Sequence, residues 1–215
     1  MSIPHKEFMA ILQELERQPI AKNGYRTESG KGRSQAFGIV HRRSVPPDYS
    51  RWCWIRPYLY KLLLEFAKKH VTIPFTSITV NDNYAAAKHK DRGNTGDSFL
   101  VAFGDYTGGE LEIFEGPLKG LHDVRYKPIV TDFANTWHAV KPFTGKRYSL
   151  VFYTLQPRGT WRIDTLPPPS VGMQGNKYVF MRGDEMILKG LDHPLKKKPD
   201  ANLEIEEKET VLSFA

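Results

Sequence analysis

The sequence is poor in cysteine. Cys53 is the single cysteine among 215 residues. One thiol can form neither a disulfide within the chain nor a zinc site built from several cysteines, so both kinds of scaffold are excluded. This composition is typical of a reducing compartment. We therefore expect an intracellular protein of the cytoplasm or nucleus, not a secreted one.

Long apolar runs are also lacking. No stretch approaches the ~20 apolar residues that a membrane span requires. The N-terminal segment carries Glu7, Glu14 and Glu16 where an export signal would have an unbroken apolar run. Hydrophobic residues make up 40% of the chain and charged residues 26%, which is ordinary for a soluble globular protein. We expect no membrane association and no obligate protein partner.

Basic residues are in excess and unevenly distributed. The formal net charge is +7, and the segment 18–56 holds eight basic residues against two acidic ones, a local excess of six. Such a block favours a polyanionic partner, because neutralised phosphates release their counterions. An ordinary solvated surface would have the same composition. The basic residues are Lys22, Arg26, Lys31, Arg33, Arg42, Arg43, Arg51 and Arg56, and the acidic ones are Glu28 and Asp48.

Two amphipathic helices are predicted in the first third of the chain. Apolar residues recur at helical spacing in 4–17 and again in 57–70, where Pro57 suits a first helical turn. We expect the second helix to pack against the back of a sheet. Between the helices, the pattern predicts a loop over 21–34, a short strand over 36–41 and irregular structure over 42–49. The apolar positions are Phe8, Ile11, Leu12 and Leu15, then Leu59, Leu62, Leu63 and Phe66.

From Thr76 onward, short β segments separated by turn residues replace the helical pattern. Eight short strands in about eighty residues predict a double-stranded β-helix, the jelly roll. We expect a mainly β fold with N-terminal helices packed on this barrel. The predicted strands are 76–84, 86–91, 98–104, 109–114, 122–126, 128–133, 136–141 and 147–154.

The chain is predicted to form one structural domain with three regions. Residues 1–75 would be a helical and basic support, 76–156 the double-stranded β-helix, and 157–215 a C-terminal extension and tail. In this last region we expect one hairpin, with strands 178–181 and 186–188 around Arg182-Gly183-Asp184.

Two histidines and one aspartate in the barrel region could bind one metal ion. His89 and Asp91 are separated by one residue, so on a strand they project to the same face. His138 lies on the penultimate predicted strand, which should pair with or neighbour the strand of His89. Two imidazoles and a carboxylate hold three positions of a ferrous ion and leave three open. His122 is a rival for the second histidine ligand, but no similar arginine–serine pair follows it at short range.

A cation follows the second histidine. Arg147 and Ser149 alternate onto one face of the last predicted strand, so a guanidinium and a hydroxyl could grip one carboxylate. Taken singly, Arg147 would be read as a surface charge and each histidine as a satisfied polar residue. It is the ordered set in one barrel-like pattern that predicts a metal site.

These segments resemble a known family. The stretches at 88–91, 106–114, 137–143 and 147–153 are similar to the Fe(II)- and 2-oxoglutarate-dependent dioxygenases; they read KHKD, YTGGELEIF, WHAVKPF and RYSLVFY. The resemblance implies an enzyme with Fe(II), 2-oxoglutarate as co-substrate, O2, and succinate and CO2 as co-products. By the same resemblance, His89, Asp91 and His138 are the catalytic iron ligands. Arg147 and Ser149 would bind the distal carboxylate of 2-oxoglutarate.

The flanking segments 81–94 and 103–111 resemble one branch of that family. NDNYAAAKHKDRGN and FGDYTGGEL are similar to the nucleobase-oxidising group, which includes the ten-eleven-translocation (TET) 5-methylcytosine oxidases and the thymine hydroxylases of base-J synthesis. The resemblance implies DNA as the partner. The gap of nine residues from His138 to Arg147 is shorter than in that group and closer to prolyl hydroxylases.

Further residues are candidates for binding substrate or co-substrate. Arg92 and Asn94 follow the metal-binding pair and should line the mouth of the pocket as substrate contacts. Asn81 and Asn83 share a strand face; we expect Asn81 to face the substrate and Asn83 the co-substrate, although both could be structural amides. The segment 51–56, RWCWIR, interleaves aromatic and basic residues, as suits a flipped base. Anchoring of the following helix in the core explains its tryptophans, Trp52 and Trp54, equally well.

We therefore predict a dioxygenase that hydroxylates the methyl group of 5-methylcytosine or thymine in DNA. One alternative keeps the chemistry and changes the substrate to a peptidyl proline or an N-alkylated base. Another is of a different class, a cupin-like barrel that binds DNA or a ligand without turnover.

Overall fold

The helices lie where the apolar spacing predicts them. The computed structural model describes residues 2–20, 30–42, 45–159, 169–182 and 185–186. A 3-10 turn, His5–Phe8, leads into helix α1, Met9–Arg17, and helix α2, Trp52–Ile55, precedes helix α3, Pro57–His70. Pro57 occupies the first turn of α3, where its missing N–H costs no hydrogen bond. No helix in the described ranges combines the length and apolarity needed to cross a bilayer.

Strands make up about half of the described chain. They are β1 Gly30–Arg42, β2 Val45–Tyr49, β3 Ser77–Ala86, β4 Asn94–Gly108, β5 Leu111–Ile113, β6 Gly120–His122, β7 Ile129–Thr131, β8 His138–Val140, β9 Phe143–Leu155, β10 Pro169–Gln174, β11 Lys177–Arg182 and β12 Glu185–Met186. The major sheet has the order β2-β1-β3-β9-β4-β7, the minor sheet β6-β5-β8, and a third sheet β10-β11-β12. The pairings between these strands are antiparallel.

The major and minor sheets face each other. Apolar side chains of β4 and β5, among them Leu100, Ala102, Leu111 and Ile113, pack in one buried cluster together with Phe133. The fold is therefore mainly β, a double-stranded β-helix with helices before it. The prediction of fold class is confirmed.

The other face of the major sheet carries the helices. Sheet residues such as Phe37 and Phe152 share a second, larger buried cluster with α1 and α3, represented by Leu15, Leu63 and Phe66. The alternation of strand side chains directs one set to the helices and the other to the minor sheet. The expectation that α3 packs on the back of a sheet is confirmed.

Two predictions for the N-terminal region were wrong in part. Strand β1 begins at Gly30, inside the predicted loop 21–34; residues 21–29 lie outside the described part. The segment 45–49 was predicted to be irregular, yet it forms strand β2 despite Pro46 and Pro47. A proline cannot donate to a ladder, but β2 is an edge strand of the sheet, where that loss is tolerated. Region 1–75 thus supplies strands as well as helices to the major sheet.

The barrel strands follow the predicted pattern with two exceptions. The predicted strand 122–126 is displaced, since β6 ends at His122 and residues 123–126 contribute only an isolated bridge between Arg125 and Ala102. Segment 86–91 is not a strand; it contributes a single antiparallel bridge between His89 and His138. Strands β4 and β9 are longer than predicted, because their ladder continues without a break from Phe99–Phe152 to Gly108–Phe143.

The C-terminal extension forms the expected hairpin and one further strand. Met181 pairs with Met186 and Arg182 with Glu185, as predicted for strands around Arg182-Gly183-Asp184. Strand β10, which was not predicted, pairs with β11. The triplet's second and third residues, and the predicted strand positions 187 and 188, lie outside the described residues.

Candidate metal centre

A cavity of about 100 Å³ lies between the two facing sheets. The side chains that line it include His89, Asp91, His138, Arg147 and Ser149, which come from three separate stretches of the chain. Apolar residues of both sheets, Leu100, Leu111, Val140 and Val151, complete much of its wall. The cavity therefore brings together the residues that the sequence proposes for metal and co-substrate.

Three of these residues form a cluster of metal-ligand type. One ligand atom each of His89, Asp91 and His138 lies within 4.8 Å of the other two. His89 Nε2 is 3.3 Å from Asp91 Oδ1, and His138 Nε2 is 3.9 Å from Asp91 Oδ2. The two imidazole rings have their centroids 4.3 Å apart. Three donors this close together, two nitrogens and an oxygen, could hold one divalent ion.

Backbone hydrogen bonds fix the positions of the three residues. The His89 N–H donates to the His138 carbonyl at 2.9 Å, and the His138 N–H donates to the His89 carbonyl at 3.0 Å. The Asp91 N–H donates to the Phe133 carbonyl at 2.9 Å. A two-way bridge therefore ties the two histidine segments together, although 86–91 is not a regular strand.

Both imidazoles have Nε2 directed at the cluster. His89 Nδ1 lies 2.7 Å from the Ala87 carbonyl, and His138 Nδ1 lies 2.9 Å from the Thr136 carbonyl. A carbonyl only accepts, so Nδ1 of each ring carries the proton and donates. In the neutral ring, the lone pair is then on Nε2, the nitrogen that faces Asp91. Backbone carbonyls that hold Nδ1–H in this way are usual partners of metal-binding histidines.

Burial favours the neutral form of His138. The residue is 4% exposed, and its desolvation lowers the pKa, while the hydrogen bond to Thr136 and the charge of Asp91 act in the opposite direction. Neutral imidazole is the form that binds metal.

Arg147 is a buried cation with no carboxylate partner among the residues that the structure describes. It is 2% exposed, and its Nε and Nη2 have no hydrogen-bond partner among the described residues. Its guanidinium carbon lies 5.5 Å from the ring centroids of both Tyr106 and Phe143. Desolvation lowers the pKa of Arg147, but a guanidinium remains charged. A buried, incompletely bonded guanidinium calls for an anionic ligand.

Ser149 adds a hydroxyl to the same cavity. Asn81 Nδ2 donates to Ser149 Oγ at 3.1 Å. With one lone pair so engaged, the Ser149 proton is free to be donated elsewhere. Asn81 Oδ1 is buried and has no partner in the described chain. Asn81 thus lines the cavity as expected, and its amide also orients Ser149.

The strand alternation predicted for Asn83 is not observed. Asn83 has φ +49°, in the left-handed region, which breaks the alternation after Asn81. Its side chain is exposed and does not line the cavity; Asn83 Oδ1 accepts a hydrogen bond from the Arg147 backbone N–H at 2.7 Å. The expectation that Asn83 faces the co-substrate is therefore not met. This hydrogen bond fixes the backbone of Arg147 from outside the cavity.

The two residues predicted at the pocket mouth have different positions. Asn94 lines the cavity. Arg92 is exposed and lines a neighbouring cavity instead. His122, the rival ligand, is not part of the cluster; its Nε2 lies 2.6 Å from the Leu118 carbonyl.

The aromatic and basic segment 51–56 belongs to the helix side of the sheet. Trp54 is buried in the larger core cluster, and Trp52 packs against that cluster. Arg56 is 3% exposed and donates to Gln35 Oε1 at 3.0 Å and to the Gln18 carbonyl. Core anchoring is thus the role the structure gives these residues, and Arg56 is not available to phosphate.

Sequence reasoning missed several residues of the cavity. Thr79 and Tyr153 line it, and Thr79 Oγ1 donates to Tyr153 Oη at 3.4 Å. Strand alternation from Asn81 and Ser149 would have identified both. Tyr106 does not line the cavity, but its ring contacts Arg147. No alternation along one strand predicts this contact, because Tyr106 lies on β4 and Arg147 on β9.

Comparison with known proteins gives resemblance in structure only. No protein-family model matches the chain, and no curated protein matches it. Solved structures similar to it include NgTET1 in complex with 5mC DNA, at 15% identity and TM-score 0.48, covering 72% of this chain and 69% of that one. An oxidoreductase of the 2OG-Fe(II) oxygenase family from Burkholderia pseudomallei has 15% identity and TM-score 0.47, with coverages of 67% and 76%. A Pseudomonas putida prolyl-4-hydroxylase has 15% identity and TM-score 0.45, with coverages of 73% and 89%. At these values, the assignment of function rests on the residues of the cavity.

Proposed function

We propose that the protein is an Fe(II)- and 2-oxoglutarate-dependent dioxygenase. The observation that carries the proposal is the convergence of a His-Asp-His cluster and an unpaired buried guanidinium on one cavity. The cluster supplies ligands for a cation, and the guanidinium supplies a partner for an anion. A metal-binding dicarboxylate such as 2-oxoglutarate satisfies both at once.

The donor set suits ferrous iron. Two imidazoles and one carboxylate would leave positions on the ion open for a chelating co-substrate and for O2. His89, Asp91 and His138 would hold the ion. Bound with 2-oxoglutarate and O2, iron supplies the oxidation of a C–H bond, with succinate and CO2 as co-products.

Arg147 and Ser149 would hold the distal carboxylate of 2-oxoglutarate. The guanidinium has two N–H-bearing nitrogens without a partner in the described chain, and the Ser149 proton is free because Asn81 donates to its oxygen. A carboxylate with both oxygens accepting would satisfy these donors. The keto acid end of the same molecule would then face the three metal ligands. Apolar wall residues, such as Leu111 and Val140, keep the surroundings poor in water, which strengthens these interactions.

We propose the methyl group of 5-methylcytosine or thymine in DNA as the site of hydroxylation. The positive net charge supports a polyanionic partner. A paired base would have to leave the duplex to reach the cavity. Asn94 and Asn81 line that cavity with amide groups, which can bond to the edge of a base.

Mass spectrometry of nucleosides tests this proposal. The full chain is incubated with Fe(II), ascorbate, 2-oxoglutarate and O2, together with methylated or unmethylated DNA. We expect succinate and a stable hydroxymethyl base, and neither product with the Asp91→Ala variant. A hydroxylated peptide, or a demethylated base with formaldehyde, would instead assign a different substrate. Absence of succinate with every substrate would favour a binding barrel without turnover.

A further inference from the structure

A second cavity, of about 470 Å³, adjoins the candidate metal centre. Asn94 lines both cavities, so the two are neighbours. Lys90 and Arg92 also line the second one, and both lie within three residues of the ligand His89. We define this second cavity as the side groove.

A bulge in strand β4 forms one wall of the side groove. Thr95 pairs with Thr154 and Phe99 with Phe152, so four steps along β4 oppose two steps along β9. The extra residues leave the ladder, and Gly96 takes φ +68° with open space around the position of a Cβ. Bulges of this kind redirect a strand at its edge. The exposed Thr95 and Gly96 therefore open toward the groove instead of continuing the sheet.

The charge of the side groove is positive. Its lining has two basic side chains and no carboxylate; the other residues are Asn94, Thr95, Gly96, Ala134, Asn135 and Gln156. The Lys90 ammonium is already engaged, since it lies 2.8 Å from Glu115 Oε1 and donates to the Asn135 carbonyl. Arg92 is exposed and forms no ion pair with another residue of the described chain. One uncompensated guanidinium thus projects beside neutral amides and a hydroxyl.

We infer that the side groove binds a backbone phosphate of the nucleic acid whose base enters the metal cavity, with Arg92 as the contact. The inference rests on the proposed function, because it supposes a nucleotide substrate. A phosphate carries one negative charge and several acceptor oxygens, which match a free guanidinium and nearby neutral donors. A phosphate contact fixes the position of the strand without reading the base. Arg92 would therefore hold the register of the target nucleotide over the cavity.

Binding of DNA by the full chain tests the role of Arg92. The fluorescence anisotropy of a labelled, methylated oligonucleotide is followed over a series of NaCl concentrations for wild type, Arg92→Gln, Arg92→Lys and Lys68→Gln. Lys68 is a matched control, because it is an exposed basic residue of α3 on the opposite face of the major sheet. We expect Arg92→Gln to weaken binding severalfold and to lower the slope of log Kd against log salt by about one. Arg92→Lys should retain most of the slope, and Lys68→Gln should match wild type.

The outcomes separate this inference from the proposed function. Absence of DNA binding by wild type, or equal loss in Arg92→Gln and Lys68→Gln, would overturn the role of the groove. An unchanged salt slope in Arg92→Gln would do the same. Formation of succinate from 2-oxoglutarate without any DNA is measured in parallel and should be the same in wild type and Lys68→Gln. Its absence in wild type would contradict the oxygenase chemistry, whatever the DNA result.

Discussion

At the scale of single residues, Arg147 has unfavourable surroundings for its charge. A cation at 2% exposure, with two nitrogens unpaired in the described chain, costs folding free energy that its aromatic neighbours only partly offset. Natural proteins keep such groups where a ligand completes them. The unpaired charge therefore lowers the stability of the ligand-free protein, and an anion that binds Arg147 would restore it.

Replacing Arg147 with Met should separate stability from function. We expect the melting temperature of the ligand-free protein not to fall, because an apolar side chain of similar length replaces an unpaired buried charge. The KM for 2-oxoglutarate should rise roughly ten- to a hundredfold, which corresponds to the ~1.5–3 kcal/mol of hydrogen bonds to a charged group. Calorimetry and succinate assays measure the two effects.

Arg125→Met is the matched control for that variant. Arg125 contacts the same Tyr106, by a hydrogen bond to its carbonyl at 2.8 Å and a ring contact at 5.3 Å, but it does not line the cavity. The control should leave the KM unchanged. An Arg147→Met protein that loses stability and keeps its KM would show that Arg147 is structural.

Gly109 permits the close approach of Arg147. A Cβ at Gly109 would lie 3.0 Å from both Cδ and Nε of Arg147, and the residue has φ +73°. Gly116 has a similar φ, +79°, but open space at the Cβ position. Both Gly→Ala variants should lose about 1 kcal/mol or more of stability through backbone strain. Only Gly109→Ala should also raise the KM for 2-oxoglutarate, and equal KM values in the two variants would exclude a role in placing Arg147.

At the scale of elements, the metal centre depends on two segments that are barely regular structure. His89 belongs to no strand and His138 opens the three-residue strand β8, yet their mutual bridge aligns the two rings. Side chains on the outer face strengthen this bridge. Glu115 Oε1 accepts from Lys90 Nζ at 2.8 Å and from the Trp137 backbone N–H at 3.0 Å. Lys90 and Trp137 are direct neighbours of the ligands.

Loss of the Glu115 contacts should loosen the centre without unfolding the chain. We expect Glu115→Ala to weaken Fe(II) binding severalfold, with little change in melting temperature, since an exposed ion pair contributes only about 0–1 kcal/mol. Glu112→Ala is a matched control: the Glu112 side chain pairs with Lys141 at 3.4 Å, three residues after His138, and the variant keeps the backbone pairing of position 112 with Ala139. Anaerobic metal titrations of the two variants compare the affinities. Equal affinities would mean that Glu115 does not position the ligands.

The sequence is informative about elements where side-chain periodicity is regular. The stripes of α1 and α3 and the alternation of β3, β4 and β9 predict these elements correctly. Prediction from the sequence fails where the pairing of strands or the backbone conformation overrides the usual preference of a residue. Pro46 and Pro47 break most strands, but the sheet edge accepts them. Asn83 breaks the alternation because its backbone is in the left-handed region. No neighbouring residue in the sequence predicts this conformation.

At the scale of the whole molecule, the two faces of the major sheet pack against different parts of the fold. One face packs on the helices, and Trp54 and Arg56 lie on that side of the sheet. The other face encloses the cavity with the minor sheet. The sequence does not reveal this division, since the segment 51–56 has the composition of a base-stacking cluster. Only the packing of α2 shows that its aromatic side chains are part of the core. Arg56 is therefore not available to a polyanionic partner, whereas Arg92 is exposed beside the cavity.

The central claim is that three side chains, distant in sequence, form one metal site. Anaerobic equilibrium dialysis of the full chain against Fe(II), with bound iron measured per chain, tests it most directly. We expect about one ion per chain in wild type, and loss of binding in His89→Ala, Asp91→Ala and His138→Ala. His122→Ala should bind as wild type does. No bound iron in wild type, or equal loss in His122→Ala, would contradict the account.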